Sequence, residues 1–270
     1  MTVPKFETLD IVLFPNGVVE IAHNRPRRSN ALSPQSYRDW LAAFKWAASC
    51  EDVKVVVLTG RGKYYTSGQE LALPDASSGD VEEEMNRRRQ TTSDVVAEMI
   101  QFPKLLIGAV NGPSMGFGTT TLALCDVVYS VETATFGTPF MKLAFCAEGC
   151  SSILFPRILG PSKANEMLLL GRTFTAKEMV DCGFISRTIP SEGFRETVLE
   201  IAANATQFST EAIKVTKELI RDVDRELLLE VNRREMNALG ERMSSSDSIE
   251  SIMRFLEQTA AKKATKKSKL

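Results

Sequence analysis

The chain has 270 residues, 43% hydrophobic and 25% charged, so it fits one large domain or two small ones and is too apolar for general disorder. Its 33 Lys and Arg balance 34 Asp and Glu, which argues against nucleic acid as the main partner and leaves room for a small anionic ligand held by a local patch. Five scattered cysteines and one histidine do not converge on the roughly four ligands of a zinc site, so no metal is expected and the thiols read as reduced and structural.

The N-terminus, MTVPKFETLDIVLF, lacks the basic region, apolar core and small-residue cleavage site of a signal peptide. No apolar run reaches the ~18 residues that suggest a membrane span. Residues 10–23, DIVLFPNGVVEIAH, read as two short strands around the turn signal Pro15-Asn16-Gly17. Asn24 to Asn30 is a basic polar loop. Ser33 as cap and Pro34 at the first helical position predict a helix, with Leu41, Phe44 and Ala48 marking its apolar face.

VKVVVLTG at 53–60 and KLLIGAV at 104–110 are continuous apolar runs, which predict buried parallel strands. Between them, PDASSGDVEEEMNRRRQ at 74–90 opens as a surface loop and enters a helix at about 86–101. Arg87, Arg88 and Arg89 read as a solvated face, with phosphate contact as the alternative. FGTTTLALC at 117–125 predicts a helix and DVVYSV at 126–131 a strand. Helical segments follow near 162–170, 175–181, 191–204 and 208–221, and residues 224–262 keep Leu, Met, Glu and Arg at helical spacing. Strands interleaved with helices indicate an α/β layered core. The helical last quarter packs either on this core or on a neighbouring subunit. The chain ends in Ser268-Lys269-Leu270 after a lysine-rich stretch. That tripeptide is a receptor-read address, so an exposed flexible tail at 263–270, a peroxisomal import receptor and the peroxisomal matrix are expected.

Three glycine-marked loops stand out: YYTSGQE at 64–70, NGPSMGFG at 111–118 and AEGCSS at 147–152. Strand ends that feed such turns and helix N-termini present free backbone N–H groups, able to hold an anion or a developing oxyanion. Each loop taken singly also reads as an ordinary turn. None is a nucleotide-binding fingerprint. Glu148 follows the largely apolar MKLAFCA and precedes Gly149. A poorly solvated carboxylate there would titrate high, in the range useful for proton transfer; a surface or capping residue is the alternative. Ser67, Ser151 and Ser152 would need His23 as their base, and no G-x-S-x-G elbow accompanies it. His23 reads as a packed residue at a strand end.

The blocks RPRRSNALS at 25–33, VVVLTGRGKYYTSGQEL at 55–71, NGPSMGFGTTTLALCDVVYS at 111–130 and the segment 134–189 resemble the crotonase (enoyl-CoA hydratase/isomerase) superfamily, in the family's order. The resemblance covers nearly the whole chain and is weakest at 72–100 and beyond about 200. It implies a spiral core of repeated ββα units over 1–200, a C-terminal helical trimerisation and packing region over 201–262, and homotrimers, sometimes paired as hexamers. It implies an unsaturated fatty acyl-CoA substrate, coenzyme A being part of that substrate and no separate cofactor being required. The thioester carbonyl would sit between the backbone N–H groups of Gln69 and Phe117. The substrate-binding positions it implies are Arg28, Ala31, Ser67, Gly68, Gln69, Leu71, Gly116, Phe117 and Phe140. Arg25 to Arg28, Arg61 and Lys63 are candidates for the phosphates, and Tyr64-Tyr65 for either contact or packing.

Family hydratases use two glutamates, at positions where this chain has Thr120 and Phe140. Dienoyl-CoA isomerases pair an acid in the region after Pro139 with an aspartate near 148. The peroxisomal Δ3,Δ2-enoyl-CoA isomerases use one glutamate in a segment resembling AEGCSS, which matches Glu148. The resemblance therefore implies a shift of a 3-enoyl-CoA double bond to trans-2-enoyl-CoA in fatty-acid β-oxidation, with Glu148 moving the α-proton to the γ-carbon. The alternatives are a dienoyl-CoA isomerase or specialised acyl-CoA enzyme, and a non-catalytic acyl-CoA-binding or scaffold module.

Overall fold

Two strands joined by the Pro15-Asn16-Gly17 turn open the chain: β1 (Leu9–Leu13) and β2 (Val18–His23) pair antiparallel, Leu9 opposite His23. The computed structural model describes residues 2–71 and 81–267. Helix α1 (Pro34–Ser49) starts at a capping box, in which Ser33 and Ser36 satisfy each other's backbone N–H. Its buried stripe is Tyr37, Trp40, Ala43, Phe44 and Ala47. Leu41 and Ala48, expected on that stripe, are half-buried at its margin. The bulky rings of Tyr37 and Trp40 set which side of the helix meets the core.

β3 (Val55–Gly60) is buried along its whole length and runs parallel between β2 and β4 (Leu105–Val110), as the continuous apolar runs predict. Helix α2 (Val81–Gln101) begins about five residues ahead of the sequence expectation. The acidic run is its first turn, where the helix dipole favours negative charge, and Glu83–Arg87 and Glu84–Arg88 pair one turn apart. Arg87 and Arg88 are exposed on this helix, whereas Glu84 and Arg89 are half-buried, and Glu84, Arg87 and Arg88 border a cavity shared with Tyr37 and Gln69. The expected loop over 72–80 lies outside the described residues.

β5 (Ser114–Met115) leads into α3 (Phe117–Thr120), which tightens into a 3-10 turn at Thr121–Leu124 where one continuous helix was expected. Then come β6 (Val127–Val131), β7 (Thr135–Gly137), a 3-10 turn at Phe140–Leu143, α4 (Ser151–Leu159) and α5 (Pro161–Leu168). β8 (Phe174–Thr175), α6 (Ala176–Asp181), β9 (Arg187–Ile189) and α7 (Phe194–Ala205) complete the core. Helices α8 (Thr210–Arg221), α9 (Arg225–Met243) and α10 (Ser246–Lys267) follow. The helical stretch read at 224–262 is therefore two helices, and the second continues through the first residues of the expected tail. Ser268-Lys269-Leu270 lies outside the described residues.

The main sheet has the order β1-β2-β3-β4-β6-β9 and is parallel except for β1; a small second sheet has the order β5-β7-β8. α7 is tied to the sheet by Glu20, only 1% exposed, which accepts from Arg195 (2.7 and 2.8 Å) and from Arg61 (2.8 Å). α9 packs on α2 and α4, and α10 on the 140–143 turn, so both lie on the chain's own core. α8 differs: Leu219 and Ile220 on it are exposed, as is Val223 just beyond. Among the described residues no helix is long and apolar enough to cross a membrane.

Candidate active site

The first and second glycine loops leave the C-terminal ends of the adjacent parallel strands β3 and β4, the usual ligand-binding edge of such a sheet. Asn30 and Asn111 hold the first loop in shape. Asn30 Nδ2 donates to Arg61 O (2.9 Å) and Tyr64 O (2.7 Å), and Asn111 Nδ2 to Gly62 O (2.8 Å). The Met115 N–H donates to Thr66 O (3.0 Å), which joins the two loops. At Gly68 (φ +82°) a Cβ would stand 2.8 Å from Met115 O, so only glycine allows this approach. Gly116 (φ +54°) precedes α3 and also has a positive φ. Among the described residues, neither the Gln69 N–H nor the Phe117 N–H has a protein acceptor. Two free donors thus lie on turns whose glycines touch.

The third loop sits against α3. A Cβ on Gly149 would lie 2.6 Å from Thr120 Oγ1. Glu148, beside Gly149, is 4% exposed. Burial pushes its pKa up to about 8, with the charge of Glu235 adding to the rise. No hydrogen bond reaches its carboxyl group among the described residues, while Ser151 donates through Oγ (2.7 Å) and N–H (3.2 Å) to its carbonyl. A buried carboxyl of high proton affinity therefore flanks the helix that begins at a free N–H donor.

The other expected binding positions gather around the first loop. The Leu32 N–H donates to Gly68 O (2.9 Å) and the Ser67 N–H to Ser29 O (3.0 Å), so Ala31 runs beside Ser67, Gly68 and Gln69. Leu71 is half-buried at the loop's end. Phe140 is buried after Pro139, whose Cδ would be 3.8 Å from a Cβ on Gly116. Arg28 is exposed and paired with Glu70, which also holds Arg25 (2.8 Å). Arg61 is spoken for by Asp10 and Glu20, so it serves the sheet rather than a phosphate. Lys63 is exposed.

His23 is packed, as expected: its ring meets Trp40 at 4.8 Å and Tyr65 at 5.6 Å, and burial lowers its pKa to about 4. Tyr65 is fully buried and belongs to this packing. Among the described residues no serine hydroxyl bonds His23.

Two neighbours of Glu148 escaped the sequence reading. Tyr37 on α1 is 5% exposed, with a buried hydroxyl that has no partner among the described residues. Burial and the charge of Glu148 both oppose its ionisation. It shares with Leu32, Gln69 and α2 a cavity of about 50 Å³. Glu235 on α9 is 7% exposed and accepts from the N–H groups of Cys150 (2.7 Å) and Ser152 (3.0 Å). Tyr37 carried a weak signal, an aromatic ring on the first turn of a capped helix. Glu235 sits in the charge-rich VNRREMN and carried none. A larger cavity of about 670 Å³ lies between α4 and α8, and no residue expected at the site lines it.

Residues 14–264 match the family model described as enoyl-CoA hydratase/isomerase. The chain is 39% identical over 252 residues to enoyl-CoA delta isomerase 2 of Homo sapiens, covering 93% of this chain and 64% of that protein. It is 36% identical over 258 residues to enoyl-CoA delta isomerase 3, peroxisomal, of Mus musculus, covering 95% and 81%. It thus spans slightly less than two thirds of the human relative. The crystal structure of an enoyl-CoA hydratase/isomerase from Pseudoalteromonas atlantica T6c matches with a TM-score of 0.84 at 28% identity, over 93% of this chain and 98% of that one.

Proposed function

Because the chain belongs to the enoyl-CoA hydratase/isomerase family, we propose that it is a Δ3,Δ2-enoyl-CoA isomerase with Glu148 as its proton carrier. The observation that carries this reading is one buried carboxyl of raised pKa on a loop packed against α3, together with two N–H donors that have no protein acceptor among the described residues. The Glu148 carboxylate takes the α-proton of a β,γ-unsaturated acyl thioester. The electron pair moves into a dienolate, whose oxygen accepts from the Gln69 and Phe117 N–H groups. Glu148, now neutral, returns the proton to the γ-carbon, leaving the α,β-unsaturated thioester and the starting carboxylate. The N–H contacts strengthen as charge develops on the oxygen, and each such donor typically lowers the barrier by about 3 kcal/mol. Burial gives the carboxylate the basicity that a weakly acidic carbon requires.

Hydration would need a second carboxyl to handle water. Thr120 and Phe140 stand at the family's two hydratase positions. Thr120 Oγ1 is engaged with Phe117 O (3.1 Å) and Phe140 is buried. Glu235, the other buried carboxylate near Glu148, has both oxygens bonded to backbone N–H groups. The same Phe140 speaks against the dienoyl reaction, which resembles this chemistry but pairs two acids.

The substrate is an unsaturated fatty acyl-CoA, with coenzyme A as part of it. The terminal Ser-Lys-Leu supports recognition by a peroxisomal import receptor and a place in the peroxisomal matrix, in β-oxidation. The name of the mouse relative agrees with this. The exposed apolar residues of α8 support assembly into homotrimers or hexamers. Offering the enzyme trans-3-hexenoyl-CoA, a conjugated dienoyl-CoA and trans-2-hexenoyl-CoA in parallel tests the assignment. Isomerisation of the first should dominate; faster hydration of the third, or preference for the dienoyl thioester, would contradict it.

A further inference from the structure

Glu148 is followed by two residues in the left-handed region, Gly149 (φ +63°) and Cys150 (φ +62°). Glycine adopts that backbone freely; a residue with a Cβ does not, so something must hold Cys150 there. The holding groups come from α9. Glu235 Oε2 accepts from the Cys150 N–H (2.7 Å) and Oε1 from the Ser152 N–H (3.0 Å), and Cys150 Sγ donates to Leu228 O (3.3 Å). Both carboxylate oxygens are thereby spent on the first turn of α4, where the helix dipole also favours an anion. The chain distance between Cys150 and Glu235 is 85 residues, so this is a tertiary clamp.

We propose that Glu235 is a positioning residue for Glu148: it fixes the Gly149–Cys150 turn from α9 and keeps a second carboxylate beside the proton carrier. The inference rests on the role assigned to Glu148 above. Among the described residues, the ionisable groups facing Glu148 are Tyr37 from α1, Cys146 in the preceding segment and Glu235 from α9. Burial pushes the Cys146 thiol up to about 11 and raises the Tyr37 phenol, so both stay neutral. Arg242 of α9, the cation near Cys146, donates Nε to Ala144 O (2.9 Å). Burial raises the pKa of Glu235 too, while the N–H groups of Cys150 and Ser152 that it accepts from favour its charged form. The clamp thus orients the Glu148 turn and makes its carboxylate a stronger base.

Infrared difference titration of the enzyme with ¹³C-labelled glutamate, assigned with Glu148→Gln, reads the Glu148 proton without substrate. In Glu235→Gln, a near-isosteric change, Glu148 should titrate roughly one pH unit lower than in the wild type. Glu235→Asp keeps the charge but draws it back toward α9, and should shift Glu148 the same way by less; it serves if the Gln variant does not fold. With 3-enoyl-CoA, kcat should fall about tenfold in Glu235→Gln with KM nearly unchanged, and Glu235→Gln should cost nothing further in a Glu148→Gln background. An unmoved Glu148 titration in the folded variants overturns the proposal. If the wild type does not isomerise 3-enoyl-CoA, the functional assignment fails, and the titration still decides what Glu235 does to Glu148.

Discussion

The ring of Tyr37 meets that of Phe117 edge to face, with centroids 5.1 Å apart. The residue whose N–H begins α3 is thereby braced by α1, and the Tyr37 hydroxyl is left buried without a partner among the described residues. An unpaired buried hydroxyl costs about 1–3 kcal/mol, so Tyr37→Phe should match or exceed the wild type in denaturant unfolding. Tyr37→Ala should lose about 3–5 kcal/mol by opening a cavity under Phe117. A destabilised Phe variant would mean that the hydroxyl has a protein partner.

The donor geometry makes a contrast between neighbours. Gly68→Ala puts a methyl 2.8 Å from Met115 O and should displace the Gln69 N–H, lowering kcat about 10²-fold while far-UV dichroism is preserved. Gln69→Ala keeps the N–H and should hold kcat within about threefold. The reverse order of effects would assign the role to the Gln69 side chain.

Glu148 links activity and stability through pH. Its pKa rises from the ordinary 4.5 to about 8, chiefly by burial. Between those values the folded state holds a proton that the unfolded state has lost. Stability should therefore fall as pH rises from about 4.5 to about 8 and change little from this group beyond. kcat/KM should rise over the upper part of the same range, because the base must be ionised. Glu148→Gln should be more stable than the wild type at pH 8 by about 1–3 kcal/mol, measured by urea unfolding.

Glu20 obeys the opposite sign. Burial raises its pKa, but Arg61 and Arg195 outweigh that and hold it below the ordinary 4.5. Its contribution is present above pH 4.5 and is lost as pH falls through its folded value. Glu20→Ala leaves Arg61 with Asp10 alone and takes from the half-exposed Arg195 its partner on the sheet, so it should cost about 1–3 kcal/mol, with α7 the first element to lose amide protection in hydrogen exchange.

How much of this was legible depended on how local the cause was. The strands β3 and β4 and the Ser33-Pro34 helix start follow from a few adjacent residues, and they stand where the sequence puts them. The two donor loops were legible as glycine turns after buried strands, and the resemblance supplied which N–H to consider. Glu148 was visible through its apolar flank. The start of α2 differs from the sequence expectation because an acidic run reads locally as loop but forms a first helical turn. α4 was missed because its N-cap, Cys150, is left-handed and Pro156 lies inside it. Glu235 is not legible from its local sequence: Arg233 and Arg234 before it are charged and exposed, Met236 after it is buried, and the N–H groups it holds lie 85 and 83 residues away along the chain.

The central claim is that one carboxyl moves the proton, and the direct measurement is conversion of trans-3-hexenoyl-CoA to trans-2-hexenoyl-CoA by wild type and Glu148→Gln. Turnover should fall about 10³-fold or more in a variant that is folded and still binds the thioester. A folded variant that keeps turnover within tenfold of the wild type would remove Glu148 from the mechanism.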